Sequence, residues 1–218
     1  MTSDHHAKSP PAFDLLATSG QWSERLAVAR QFFAVRAAGW EDRFPDDGPA
    51  YSQAIAALDL VSGGRVLDAA CGTGRALPIM RSAVGSSGTV IGLDLTPEML
   101  LEAARRGRGE LVLGDVDHLP LPDGCLDAVF GAGLIPHLDD PDIGMTELAR
   151  VTRPGGGLAL FHPVGRAALA ARHGRLPDPD DIRAEPAVRA LLRRTGWVCN
   201  SVDDGPDRYL VTATRQPQ

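Results

Sequence analysis

The stretch VLDAACGTGRALP, residues 66–78, decides the architecture. Apolar Val66 and Leu67 run into an acid, Asp68; Gly72 and Gly74 follow, and a helix-like segment, RALPIMRSAV, begins at once. A strand that passes through a glycine turn into a helix opens a strand–helix–strand unit. The glycines let the backbone turn tightly and approach a ligand, while the helix start offers free N–H groups that favour a negative ligand atom.

Outward from that stretch the alternation repeats. TVIGLDL is followed by PEMLLEAARR, then come ELVLGDV, CLDAVFGAG with IGMTELARV, and GGLALFHPV. Short apolar runs alternating with helical ones predict a parallel sheet covered by helices on both faces, because each parallel crossover needs a connecting segment of a dozen or so residues. The unbroken apolar character of VIGL, LVL, DAVF and LALF agrees, since strands buried on both faces lose polar alternation. Thr96 followed by Pro97 has the form of an N-cap and a first-turn proline.

A length of 218 residues with 44% hydrophobic content suits one domain with a helical appendage. Residues 1–12 are expected to be a disordered tail and 13–50 a helical cap or lid, ending in the turn-rich EDRFPDDGP. Residues 51–218 are expected to form the ligand-binding domain, with an inserted substrate-wall segment at about 164–186. Lys and Arg total 22 against 28 Asp and Glu, a formal charge of −6, so neither nucleic acid nor an anionic membrane is an expected partner. Three dispersed cysteines, Cys71, Cys125 and Cys199, give neither a disulfide framework nor a zinc spacing, and no metal is expected. No run of about 18 apolar residues appears, and MTSDHHAKSPP lacks the apolar core of a signal peptide, so a cytoplasmic location is expected.

Sheets of this kind bind ligands beyond the carboxyl ends of their strands, where strand order reverses. Asp68 with AACGTG, Asp94, Asp115 and GAGLIPH stand there, after four successive strands. Asp94 follows Gly74 by 20 residues, the distance at which an acid ending the second strand can bond ribose hydroxyls. A nicotinamide dinucleotide and S-adenosylmethionine both suit that much. The dinucleotide fingerprint requires a small residue three after the second glycine, where this chain has Leu77, and Asp68 would repel a diphosphate but can pair with an ammonium.

VLDAACGTGRALP, VIGLDLTPEML, GDVDHLPLPDGCLDAVF and RVTRPGGGLALF, in this order, resemble the class I S-adenosylmethionine-dependent methyltransferases, in particular those acting on small molecules in quinone and natural-product pathways. The resemblance covers roughly Tyr51 to Gly157. It implies a Rossmann-like, doubly wound and mostly parallel seven-stranded sheet with an antiparallel C-terminal strand, the final hairpin being WVCNSV and DRYLVTATR. It implies that Asp68, Gly72 and Gly74 surround the methionine part, that Asp94 holds the ribose, that Leu95 and Met99 pack beside the adenine, and that Asp115 with Val116 reads its amino edge. Ala70, Thr73, Gly114 and Gly131 complete the expected cofactor set, and WEDRFPDDGPAY is expected to close over it.

S-adenosylmethionine is thus the expected cofactor, S-adenosylhomocysteine its product, and a diffusible small molecule the acceptor. His137 in GAGLIPHLDD and His162 in LFHPVGR follow the fourth and fifth strands and are the candidate bases. Each competes with an ordinary structural use. Trp22, Phe32, Phe33 and Trp40 are candidates for an acceptor wall or for helix packing. Asp139, Asp140 and Asp142 are expected to offset the dipole of the helix before IGMTELARV, and Arg166, Arg172, His173 and Arg175 to form a solvated basic face. The alternatives are a cofactor-binding protein of the same fold without methyl transfer, serving cyclisation or regulation, and a nicotinamide-dependent oxidoreductase.

Overall fold

The computed structural model describes residues 24–43 and 47–217. The expected tail at 1–12, Trp22 and part of the expected cap lie outside the described residues. The strands are β1 (Arg65–Ala69), β2 (Thr89–Asp94), β3 (Glu110–Leu113), β4 (Leu126–Ala132), β5 (Thr152–His162), β6 (Trp197–Asp204) and β7 (Tyr209–Arg215). They form a seven-stranded sheet in the order β3-β2-β1-β4-β5-β7-β6. β1 pairs in parallel with both β2 and β4, and the chain's direction of travel reverses between those two, which opens the crevice beyond their carboxyl ends. β7 runs antiparallel to β5 and to β6, so the expected C-terminal hairpin is present.

The helices are α1 (Glu24–Ala34), α2 (Gly48–Ala56), α3 (Leu77–Val84), α4 (Pro97–Arg105), α5 (Pro141–Val151), α6 (Arg166–Arg172) and α7 (Glu185–Arg194). Five of these starts, α2 to α5 and α7, carry a proline in the first two positions, where the missing N–H costs nothing. Asp140 caps α5 by accepting from the N–H groups of Asp142 and Ile143, so this acid is structural as expected. Thr96 occupies the N-cap position of α4, but its hydroxyl makes no cap bond. It turns to the Asp94 carboxylate instead, which explains why the capping expectation holds for position and fails for chemistry. The division expected between residues 50 and 51 falls inside α2.

Period-two alternation sends neighbouring strand residues to opposite faces. Leu67, Val129 and Leu160 pack with Met145, Leu148 and Leu191 of α5 and α7; Val66, Phe130 and Phe161 pack with Ile55, Met80 and Val84 of α2 and α3. Each such buried side chain contributes about 1.5–3 kcal/mol. Truncating Leu160, 2% exposed, to Ala would cost about 2–5 kcal/mol by leaving a cavity on the first of these faces. Trp197, buried at the start of β6, donates its indole N–H to the Met145 carbonyl at 3.0 Å and locks the hairpin to α5. The N-terminal cap, α1 with 3-10 turns at Ala37–Gly39 and Glu41–Arg43, lies against α4 beside the crevice. Among the described residues no helix is long and apolar enough to cross a membrane.

Candidate functional site

The loop after β1 is unusual in its backbone. Ala70, Gly72 and Gly74 all have positive φ, at 62°, 55° and 79°. Glycine adopts that region freely, whereas Ala70 pays a steric penalty of about 1–2 kcal/mol. A side chain at Gly72 would project into open space, so the loop there borders room for a ligand. Gly74 differs: a Cβ would meet Leu77 Cδ1 at 2.9 Å and Arg108 at 3.2 Å, so its bareness serves packing.

Asp94 ties the loops together. Its Oδ2 accepts from the Gly72 N–H and its Oδ1 from the Thr96 N–H, both at 2.8 Å, while its own carbonyl accepts from the Gly114 N–H at 3.1 Å. One residue at the end of β2 thereby sets the spacing of the loops that follow β1, β2 and β3. Burial raises its pKa, and the bonds from Thr96 and Gly72 oppose the shift. Asp68, 1% exposed, has an Oδ1 with no hydrogen-bond partner among the described residues. Burial and the neighbouring charge of Asp94 push the Asp68 carboxyl well above the usual carboxylate range. A buried acceptor left open in this way calls for a donor, and a cationic one is favoured because it also relieves the repulsion between the two acids.

These residues wall a cavity of about 490 Å³, within the span of small-molecule sites. Of the twelve expected cofactor residues, Asp68, Ala70, Gly72, Thr73, Asp94, Leu95, Met99, Gly114, Asp115 and Val116 line it. Gly74 and Gly131 stand behind the wall, Gly131 being packed against Leu134 and Leu160. The donor set suits S-adenosylmethionine: an acid pair at the ammonium end, a bare loop at Gly72, and apolar Leu95, Met99 and Val116 further along, while Arg75, the basic side chain next to the loop, is paired with Asp47. Among the described residues no group of three or more His, Cys, Asp or Glu could hold a metal ion.

His137 and His162 line the same cavity. The His137 ring meets Phe33 edge to face, 5.0 Å between centroids, and Phe33 meets Trp40 at 5.4 Å, so the cap supplies an aromatic wall. Burial, then the charges of Arg183 and Arg25, hold the His137 pKa below its ordinary value even though one side of the ring is open to the cavity. His162 is half-buried, and burial depresses it too, with Arg183 and Arg172 adding to the effect against an opposing bond to Val164. Its Nδ1 lies 2.7 Å from the Val164 carbonyl oxygen, a distance that is attractive only if Nδ1 carries hydrogen and donates. The Val164 N–H, 3.1 Å from the same atom, is then not its donor, and Nε2 keeps its lone pair.

Several wall residues were not singled out in the sequence. Arg75 is paired with Asp47 and lies over the Tyr51 ring, 5.4 Å from its centroid, and burial drives the Tyr51 hydroxyl far above its ordinary pKa. A basic residue next to Gly74 and an acid before the Gly-Pro of α2 were the available signals. His173 lines the cavity, and Arg166 is held by Asp181 and Asp204 at 3.3 and 3.5 Å with its side chain only 11% exposed. The solvated basic face expected for Arg166 is therefore corrected: its partners come from distant segments that fold back over α6.

Residues 67–160, which carry the loops after β1 to β4, match the family model described as "Methyltransferase domain". The chain is 35% identical over 167 residues to the demethylmenaquinone methyltransferase of Mycolicibacterium gilvum, covering 65% of this chain and 71% of that protein. It is 37% identical over 138 residues to the malonyl-[acyl-carrier protein] O-methyltransferase of Pectobacterium atrosepticum, covering 62% of this chain and 53% of that one. The chain thus spans about half the length of that relative, and 41% of its Serratia marcescens counterpart. Among solved structures, an S-adenosylmethionine-dependent methyltransferase from Aquifex aeolicus superposes with a TM-score of 0.64 at 26% identity, over 76% of this chain and 89% of that one. Sheet order, the acid and glycine loop, and the matched segment agree: the chain belongs to the class I S-adenosylmethionine-dependent methyltransferases.

Proposed function

We propose that this protein transfers a methyl group from S-adenosylmethionine to a diffusible small molecule. The observation that carries the proposal is the buried, unpartnered Oδ1 of Asp68 in the wall of a cavity that opens at Gly72. When bound, S-adenosylmethionine supplies a methyl group already activated on a sulfonium. Asp68 holds the ammonium, and Asp94 offers its remaining lone pairs to ribose hydroxyls while fixing the loops. Leu95, Met99 and Val116 give the base an apolar slot, and Asp115 with the neighbouring Gly114 backbone meets its polar edge. The names of the relatives, one acting on demethylmenaquinone and one on a malonyl carrier protein, support an acceptor outside the nucleic acids.

The protein's own contribution to rate is mainly positional, an effect worth roughly 7–11 kcal/mol when reacting atoms are held about 3–3.5 Å apart. The wall of Phe33, Trp40 and Tyr51 excludes water from that contact. Where the acceptor hydroxyl is weakly acidic, His162 takes its proton at Nε2, since Nδ1 is committed to the Val164 carbonyl. His137, its pKa also depressed, is the second base candidate and shapes the acceptor side through Phe33.

Titration calorimetry with S-adenosylhomocysteine and with NAD, followed by incubation of the protein with isotopically labelled S-adenosylmethionine and metabolite extracts, tests the proposal. Binding of the homocysteine product and a labelled small molecule are the expected results. NAD binding without S-adenosylhomocysteine binding would overturn the cofactor assignment, and tight binding with no labelled product in any extract would overturn methyl transfer.

A further inference from the structure

A carboxylate of the cap reaches the glycine loop without lining the cavity. Glu41, in the turn Glu41–Arg43, accepts the hydroxyl proton of Thr73 at 2.7 Å. Its Oε2 accepts from Arg108 Nη2 at 3.0 Å, and Arg108 Nη1 bonds both Glu41 Oε1 and, at 2.9 Å, the Thr73 carbonyl. Arg106 adds a charge, its Nε 3.5 Å from Oε1. Three segments far apart in sequence therefore meet at one acid: the cap, the loop after β1, and the turn after α4. Gly74 favours this approach, because a Cβ there would press on Arg108 Cβ and Cδ at 3.2 Å.

The arrangement is built to stay charged. Thr73 is 1% exposed and the side chains of Glu41 and Arg108 are 22% and 18% exposed. Burial alone would raise the Glu41 pKa, but the hydrogen bonds from Arg108 and Thr73 and the charges of Arg108 and Arg106 outweigh it and hold the carboxyl below its usual range. The residues next to this contact do face the ligand space: Trp40 precedes Glu41, and Trp40 and Thr73 both line the cavity.

We propose that Glu41 is a positioning residue for cofactor retention, pinning the Trp40-bearing turn to the glycine loop through Thr73 and Arg108, so that release of S-adenosylhomocysteine requires this contact to break. The proposal rests on the reading of the crevice as an S-adenosylmethionine site. Asp47, paired with Arg75 on the same loop, is a second tie between cap and loop, and breaking the Glu41 contact leaves it intact.

The test is stopped-flow displacement of S-adenosylhomocysteine from the full chain and from Glu41→Gln, Arg108→Met and their double variant. Glu41→Gln keeps an acceptor for Thr73, so the fold is spared while the ion pair is lost. Each single change should speed release by about tenfold, the effect of losing one charge-assisted hydrogen bond. The double variant should be no faster than the quicker single one, because both substitutions remove the same contact. Arg108→Lys should recover part of the slow release, having charge without the planar fork. Release within about twofold of the parent in both single variants, or effects that multiply in the double one, overturns the proposal. A parent that binds no S-adenosylhomocysteine overturns the cofactor reading, and this proposal with it.

Discussion

Replacing Asp68 by Asn should make the free protein more stable and the cofactor complex weaker, two opposite effects from one atom. Asp68 is 1% exposed, its Oδ1 has no donor, and Asp94 faces it with a like charge. An unsatisfied buried polar group costs about 1–3 kcal/mol, and more when ionised. Asn keeps the shape and removes the charge, so the ligand-free variant should gain about 1–3 kcal/mol, a rise of roughly 2–10 °C in melting temperature for a chain of this size. The gain has a pH signature. With the folded pKa of Asp68 raised, the native protein loses stability as pH climbs from the ordinary carboxyl range toward that raised value, and the loss then levels off. The gap between variant and parent should be absent in acid, open as pH rises, and become constant.

The same substitution removes the negative charge that pairs with an ammonium, leaving only a neutral amide acceptor. Losing a charge-assisted hydrogen bond of about 1.5–3 kcal/mol should weaken S-adenosylhomocysteine binding roughly 10–100-fold. Scanning calorimetry across pH, without and with ligand, reads both effects together. A variant that melts lower than the parent without ligand, or that binds the ligand equally well, refutes the assignment of Asp68 as an acid held open for a cation.

Ala70→Gly should stabilise the chain by roughly 0.5–1 kcal/mol, the relief of a positive φ less the added freedom of glycine in the unfolded state, as measured by urea unfolding; a loss of stability would mean that the Ala70 side chain contributes more by packing than it costs in strain. His162→Gln should lower kcat about 10²–10³-fold on an acceptor with a weakly acidic hydroxyl, with S-adenosylhomocysteine affinity unchanged, and the parent kcat should rise with pH through a pKa below the ordinary histidine value and then stay flat; equal turnover in the variant excludes His162 as the base. Asp117, its carboxyl pushed up to about 6 by burial and by Asp115, has a buried Oδ1 without a partner among the described residues. Its raised folded pKa means that stability is present in acid and lost as pH rises through about 6, so Asp117→Asn should melt higher than the parent at pH 8 and equally at pH 4, by roughly 1–2 kcal/mol at the upper pH after discounting for solvent.

The parts of the fold that were legible in the chain share one property: their physical cause is local. Strands covered on both faces must be apolar at every position, so VIGL and LALF announce β2 and β5 without knowledge of their neighbours. A glycine that must take positive φ, such as Gly72, marks its turn for the same reason. What the chain concealed depends on contacts between distant segments. Helix α1 exposes Val28 and Phe32 while burying Leu26, so its apolar periodicity does not single out the face that meets the crevice. Arg166 stands in a run of basic and small residues, and the acids that neutralise it, Asp181 and Asp204, follow 15 and 38 residues later.

Gly74 shows where a local rule misleads. Its spacing from Gly72 places it in a ligand-binding pattern, yet the atoms that crowd the space beside it belong to Leu77 and Arg108, residues of the chain itself. Spacing identifies a glycine that must stay bare and is silent about what presses on it. The distinction has a consequence for substitutions. Ala at Gly72 would meet open ligand space and act first on binding, whereas Ala at Gly74 would press on Leu77 and Arg108, and through Arg108 on the Glu41 contact. Both carry the strain of positive φ, so the difference between them lies in release kinetics: Gly74→Ala should shed S-adenosylhomocysteine as Arg108→Met does, by loosening a cap that never touches the ligand through Glu41 itself.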